Sequence, residues 1–242
     1  MLAQFILVII AAMKLIDLSQ EIFAGMPVFT GHPQVEIEAV ETHEQRAGIE
    51  NPTTVSPVVH RLTLGEHSGT HVDAFNHFTA AQRECGIDTM PLEMFFTSAF
   101  CLDFSRKGLR ELIDTNEIKA AVAAEQLQIK AGDTILFYTD HYRRYFGTDD
   151  WVHGPGITAA AARWLGEQKV AGFGVETRSP GVKGVSNSEV HRICGELEFT
   201  HYENLINLQE LVGNGRFQFI ALPLKIRGGT GSPVRAVAIL DE

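Results

Sequence analysis

The sequence predicts a single α/β domain. Short apolar runs of strand length are interspersed with helix-length segments that carry capping residues, an order that favours α/β over a helix bundle. No Pro/Ser-rich linker, internal repeat or low-complexity tract divides the 242 residues. Their 45% hydrophobic content is ample for one buried core.

Taken from the N-terminus, residues 1–12 are apolar without a break. They are too few to span a bilayer, which takes about 20 residues, and they lack the basic start of a secretory signal. No membrane attachment is expected; if translated, the segment is an added strand or a packed tail. Residues 14–22 then read as a strand and Gly25-Met26-Pro27 as a turn, with Phe29 just after it. Residues 34–54 are polar and read as irregular; His32 and His43 have no partner at ligand spacing and read as solvated loop histidines. Residues 58–64 alternate apolar and polar side chains, a strand that delivers the chain to His67.

The next segment, Glu66-His67-Ser68-Gly69-Thr70-His71-Val72-Asp73-Ala74-Phe75-Asn76-His77-Phe78, is the densest in metal-binding side chains. Imidazole nitrogens with a carboxylate oxygen are what a divalent ion such as zinc or manganese accepts. The alternative is a surface helix with His67, His71 and His77 on one face and no metal. Gly69, Thr70 and Val72 oppose a continuous helix, and Gly69 reads as a sharp backbone turn that lets its neighbours converge. Ser68 also stands where a helical H-E-x-x-H site needs glutamate.

Further on, residues 91–95 read as a short turn and 99–103 as a buried strand. Thr115 caps a helix that begins at Asn116 and turns Ile118, Ala121 and Val122 inward; Ala131-Gly132-Asp133 is a turn and residues 134–138 a strand. Residues 142–151, flanked by His141 and His153, read as an aromatic, charged loop near a pocket. Thr158 caps an alanine-rich helix over 159–168 that leads into a strand over 170–175. Ser188 caps a helix carrying His191, and 217–222 and 234–240 are closing strands. Read as strand, Phe199, His201 and Glu203 share one face, which sets His201 beside Glu203. There His201 serves as a hydrogen-bonding partner of Glu203; a solvated loop position is the alternative and ranks ahead of metal ligation.

The formal net charge of −10 opposes binding to nucleic acid, which needs clustered Lys and Arg. Cys85, Cys101 and Cys194 are odd in number and form no C-x-x-C pair, which suits reduced thiols in a cytoplasmic protein.

The stretch from His67 to Phe78 resembles the H-x-G-T-H-x-D-A-P-x-H-F signature of the cyclase family of metal-dependent hydrolases, which includes bacterial kynurenine formamidase and isatin hydrolase. The likeness runs from Met13 to the end. It takes in Leu15-Ile16-Asp17-Leu18-Ser19, Gly25-Met26-Pro27-Val28-Phe29 and the run from Pro223 through Gly228-Gly229-Thr230-Gly231-Ser232-Pro233. Because it begins at Met13, residues 1–12 are expected to be an extension from an upstream start and 13–242 the domain. The resemblance implies a swivelling β/β/α domain that assembles at least as a dimer, as a homodimer or homotetramer. It also implies one or two divalent ions, zinc first and manganese as the alternative. His67, His71 and Asp73 would hold the first ion, and Asp73, His191 and Glu203 the second. His77, assigned no metal by the resemblance, is then the candidate general acid/base, with a further metal ligand as its alternative reading.

The resemblance further implies hydrolysis of a carbon–nitrogen bond in a small aryl formamide or isatin-like lactam, by hydroxide that the metal makes available at neutral pH. A lactone or other cyclic ester hydrolase, and a non-catalytic metal or small-ligand binder, are the alternatives. Two departures bear on the substrate. Phe29 stands where kynurenine formamidases have a pocket tryptophan, and it is either a substrate contact or a core aromatic. Phe75 replaces a proline and so frees a backbone φ near His77. The late glycines form no P-loop, since no Lys-Ser or Lys-Thr pair closes them; they orient a substrate carbonyl or make a plain turn.

Overall fold

The computed structural model describes residues 13–46 and 57–241. The expected extension over 1–12 and residues 47–54 of the polar stretch lie outside the described residues. The strands are β1 (Met13–Asp17), β2 (Glu36–Glu41), β3 (Val59–Thr63), β4 (His71–Asp73), β5 (Phe96–Asp103), β6 (Leu112–Ile113) and β7 (Thr134–Tyr138). They continue with β8 (Gly156–Ile157), β9 (Gly172–Val175), β10 (Thr200–Glu203), β11 (Phe217–Ile220), β12 (Gly231–Pro233) and β13 (Val237–Asp241). The helices are α1 (His43–Arg46), α2 (Phe75–Phe78), α3 (Thr115–Ala124), α4 (His141–Tyr145), α5 (Ala159–Glu167) and α6 (Asn187–Leu197). The α/β class expected from the alternation of runs holds.

One nine-stranded sheet, in the order β1-β13-β11-β5-β7-β9-β10-β4-β12, carries the architecture. Its centre, β5-β7-β9-β10, is parallel, and α3, α5 and α6 lie in the connections between those strands. Parallel neighbours need such crossovers, and helices supply them on a sheet face. Alternation along the strands divides two cores. Phe100, Leu102, Ile135, Phe137, Phe173 and Val175 meet the helices, which contribute Ile118, Leu165 and Ile193. On the other face Ala99, Cys101, Leu136, Tyr202, Phe217 and Phe219 pack together with Ile16 and Leu240. The sheet curls around this second core. Tyr202 of β10 and Phe219 of β11 are not on neighbouring strands, yet their rings meet edge to face at 4.9 Å.

Local chemistry moves several boundaries from where the sequence suggested. The α3 cap is Asp114, whose side chain accepts from the Glu117 amide while Glu117 accepts from the Asp114 amide; Thr115 is the first helical residue. Such a reciprocal cap is worth about 1 kcal/mol. Thr158 caps α5 as expected, through the Ala161 amide. Ser188 lies inside α6, with Ser186 at the cap position. Residues 36–41, expected to be irregular, form β2, which pairs with β3 as an exposed two-stranded ribbon. The expected loop 142–151 instead holds most of α4 and a 3-10 turn that buries Trp151. Among the described residues no helix is long and apolar enough to cross a membrane.

Candidate metal centre

Strand alternation builds the centre of the site. β4 lies between β10 and β12, with Glu203 opposite His71, Tyr202 opposite Val72 and Gly231 opposite Asp73. Val72 and Tyr202 therefore point into the core, and His71, Asp73, His201 and Glu203 share the other face. All four are buried, Asp73 to 1% exposure and His201 completely. Gly69 enters this strand with φ +64°, the left-handed turn that the sequence reading assigned to it. Gly231 lies so close to His67 that a Cβ there would stand 2.8 Å from the His67 Cε1.

Two helices complete the ring. The short α2 carries His77 one turn beyond Asp73, with Nε2 3.7 Å from Asp73 Oδ2. α6 brings His191, with Nε2 3.7 Å from Asp73 Oδ2 and 4.0 Å from Glu203 Oε1. His71 Nε2 is 3.5 Å from both Asp73 Oδ1 and Glu203 Oε2, and His67 Nδ1 is 2.8 Å from Asp73 Oδ1. The separated groups of the sequence reading, one around 67–77 and one around 191–203, thus meet on one carboxylate.

Hydrogen bonds behind the ring fix which nitrogen each imidazole presents. His71 Nδ1 donates to the Gly69 carbonyl and His191 Nδ1 to the Asn187 carbonyl, both at 2.8 Å. A carbonyl only accepts, so in each ring Nε2 keeps its lone pair toward the carboxylates. Thr230 gives its hydroxyl proton to Glu66 at 2.6 Å and can then accept from His67 Nε2 at 3.1 Å. Burial opposes a charge on His67, but Asp73, 2.8 Å from Nδ1, overrides it and raises the imidazole, so Nδ1 carries a proton that a cation would displace. Lone pairs of two imidazoles, the Nδ1 of a third and two carboxylates thereby converge, an arrangement that a cation resolves. The donor atoms of His67, His71 and Asp73, and those of Asp73, His191, His201 and Glu203, lie within 4.8 Å of one another in each group. The 3.5 Å separations match the roughly 3.4 Å edges of a tetrahedron with bonds of about 2.1 Å. The residues present fit a divalent ion.

Protonation follows burial and charge. Burial would raise the Asp73 carboxyl, but His201 and His67 override it and hold it well below the usual carboxylate range. Burial pushes Glu203 up to about 7. Desolvation lowers His71 to about 3 and His191 to about 4, so both are neutral imidazoles suited to ligation. His77 is also lowered by burial, with Asp73 opposing.

The centre forms the floor of a cavity of about 370 Å³, with Phe29, Phe78, Trp151 and Arg178 in its walls. Phe29 is therefore at the pocket, as one of its sequence readings had it. His32 departs from expectation: it is a pocket residue whose ring lies 5.7 Å from that of His67. His201 is no solvated loop residue either; it is enclosed by Phe78 and Phe173 and touches both carboxylates. Trp151 lies at the pocket, where the reading of residues 142–151 had put that segment. Arg178 went unassigned from sequence because it belongs to no metal-ligand pattern, and only the fold brings its loop over the site.

The Cyclase family model matches residues 16–182. The chain is similar to isatin hydrolase of Roseibium aggregatum, at 30% identity over 75% of this chain and 74% of that protein. It is similar to kynurenine formamidase of Erythrobacter litoralis, at 28% identity over 91% of each. Among solved structures, isatin hydrolase A from Ralstonia solanacearum superposes with a TM-score of 0.81 at 28% identity, covering 94% of this chain and 92% of that one. An isatin hydrolase bound to the product analogue thioisatinate gives 0.83 at 25% identity, over 95% and 93%.

Proposed function

The chain belongs to the Cyclase family, and on that premise we propose that it is a metal-dependent hydrolase of a non-peptide carbon–nitrogen bond in a small aryl formamide or isatin-like lactam. The observation that carries this reading is the convergence of oriented imidazole lone pairs on two buried carboxylates at the floor of a cavity. His67, His71 and Asp73 would hold one ion, and Asp73, His191 and Glu203 a second, with zinc the first choice and manganese accepted by the same donors. A bound ion supplies Lewis acidity, which polarises a carbonyl and acidifies water near neutral pH.

The chain's own groups do the rest. Amide cleavage needs a proton moved from attacking water to the leaving nitrogen. His77 sits at the rim, its side chain 32% exposed, and is held neutral by burial, so it can accept that proton and return it. Asp73, beside His77, stabilises the imidazolium formed in between. Phe29, Phe78 and Trp151 offer apolar walls to an aromatic ring and keep water from the reacting carbonyl.

The test is metal analysis of protein purified without chelator, followed by assay against aryl formamides, lactams and lactones. Turnover of at least one formamide or lactam is expected. Fully metal-loaded protein that cleaves only lactones, or nothing, overturns the reading.

A further inference from the structure

The wall of the metal cavity contains a cation, Arg178, that forms no ion pair among the described residues. Among those residues it makes no hydrogen bond either, although it is only half-exposed. Its guanidinium carbon lies 5.0 Å from the centre of the Phe29 ring, and Lys183 Nζ lies 5.3 Å from the same ring. Glu203 is the carboxylate that acts on Arg178 electrostatically, and it is already engaged by His71 and His201.

Arg178 also faces a second cavity, of about 140 Å³, that adjoins the first and shares Phe29 and Ser179 with it. Arg110, Arg178 and Lys183 line this smaller space, and among the described residues no Asp or Glu does. In a chain of net charge −10 that is a local reversal of sign. Arg110 is occupied with the Lys183 carbonyl, at 3.2 Å, and so braces the segment that carries Lys183. Arg178 lines both cavities, and among the described residues its fork has no acceptor. A half-buried guanidinium without a counterion is costly, and a planar fork matches a carboxylate in two parallel hydrogen bonds.

We propose that Arg178, with Lys183 beside the Phe29 ring, forms a subsite for a carboxylate on the substrate, remote from the bond that is cleaved. The preferred substrates are accordingly small aryl amides that carry an anionic group, with the aromatic spacer against Phe29 and the scissile carbonyl at the metal centre. This rests on the hydrolase reading above for its substrate, while the anion subsite itself can be measured without turnover.

The experiment compares 4-formamidobenzoate with its uncharged methyl ester, using metal-loaded wild type, Arg178→Gln, Arg178→Lys and Lys183→Gln. Wild type is expected to favour the carboxylate. Arg178→Gln is expected to lower the charged-to-uncharged ratio of kcat/KM by about tenfold to a hundredfold, mainly through KM, with partial recovery in Arg178→Lys. A ratio unmoved by Arg178→Gln overturns the proposal, as does a wild type indifferent to the charge. Calorimetric titration with 4-aminobenzoate supplies the arm free of turnover: affinity should fall at least tenfold in Arg178→Gln at equal metal content, and an equal affinity overturns the subsite. If neither these formamides nor any lactam is cleaved yet aminobenzoate binding still depends on Arg178, the subsite stands and the hydrolase reading falls.

Discussion

The Nε2 of His201 lies 3.1 Å from Asp73 Oδ2, although the two residues come from distant parts of the chain. The same nitrogen is 3.2 Å from Glu203 Oε1, so one enclosed imidazole clamps both carboxylates of the centre. Phe78 stacks on its ring at 5.3 Å and fixes the plane. His201→Ala should leave the carboxylates without this donor and lower metal affinity about tenfold to a hundredfold, the scale for partners that orient ligands. Competition with a chromogenic chelator measures it. Wild-type affinity in that variant would remove the clamp.

His77 separates a proton-transfer role from ligation. It stands at the rim of the centre, with Nε2 3.7 Å from Asp73 and its ring 4.2 Å from that of His67. It is also absent from both groups whose donor atoms could meet on an ion. His77→Ala should therefore keep the wild-type metal content and lose turnover by about a hundredfold to ten-thousandfold, the range for general acid–base catalysis. Loss of the metal in this variant would make His77 a ligand; retained turnover would end its catalytic role.

How far this site was legible depends on the range of the interactions that form it. The turn at Gly69 and the convergence of its neighbours were readable because the demand on a glycine backbone is local, and that turn stands in the structure; the strand that sets His71 and Asp73 on one face was not read. The facing of His201 and Glu203 followed from the strand period of two. That they would meet β4 was implied only by resemblance, since ladder pairing between distant strands leaves no local mark. His32 and Arg178 show the limit. Each lies in a connecting segment, and its role is set by which loop covers the cavity. β2 was overlooked although Val35, Ile37 and Ala39 alternate with Glu36 and Glu38; the charge of the stretch outweighed its period. The shift from Thr115 to Asp114 is of another kind. Both residue types cap helices, and the reciprocal bond with Glu117 decided between them.

Metal removal should destabilise the fold as well as silence it. Asp73 and Glu203 are buried at 1% and 7% exposure, and their strands β4 and β10 are held together across a short ladder. An ion present at a thousandfold over its dissociation constant contributes about 4 kcal/mol to the folded state. Dialysis against chelator should accordingly lower the melting temperature by several degrees, and stoichiometric zinc or manganese should restore it. Identical melting curves with and without chelator would show that the carboxylates need no cation.

A separate pH dependence comes from Glu176, at the end of β9 and away from the ligands. One of its oxygens accepts from the Thr139 amide at 2.6 Å, the Thr139 hydroxyl at 2.8 Å and the His141 amide at 3.3 Å. Burial nevertheless pushes the carboxyl from its ordinary 4.5 up to about 7, which leaves the second oxygen to carry a proton. Between those values the folded chain holds a proton that the unfolded chain has released. Stability from this group is therefore full below about 4.5 and falls as pH rises toward about 7, by up to about 3 kcal/mol. Glu176→Gln keeps the accepting oxygen and the shape of the neutral acid without titrating. Its stability relative to wild type should rise between pH 5 and pH 8, as read by urea melts at the two values. A difference between variant and wild type that does not change with pH would mean that Glu176 is ionised in the folded protein throughout.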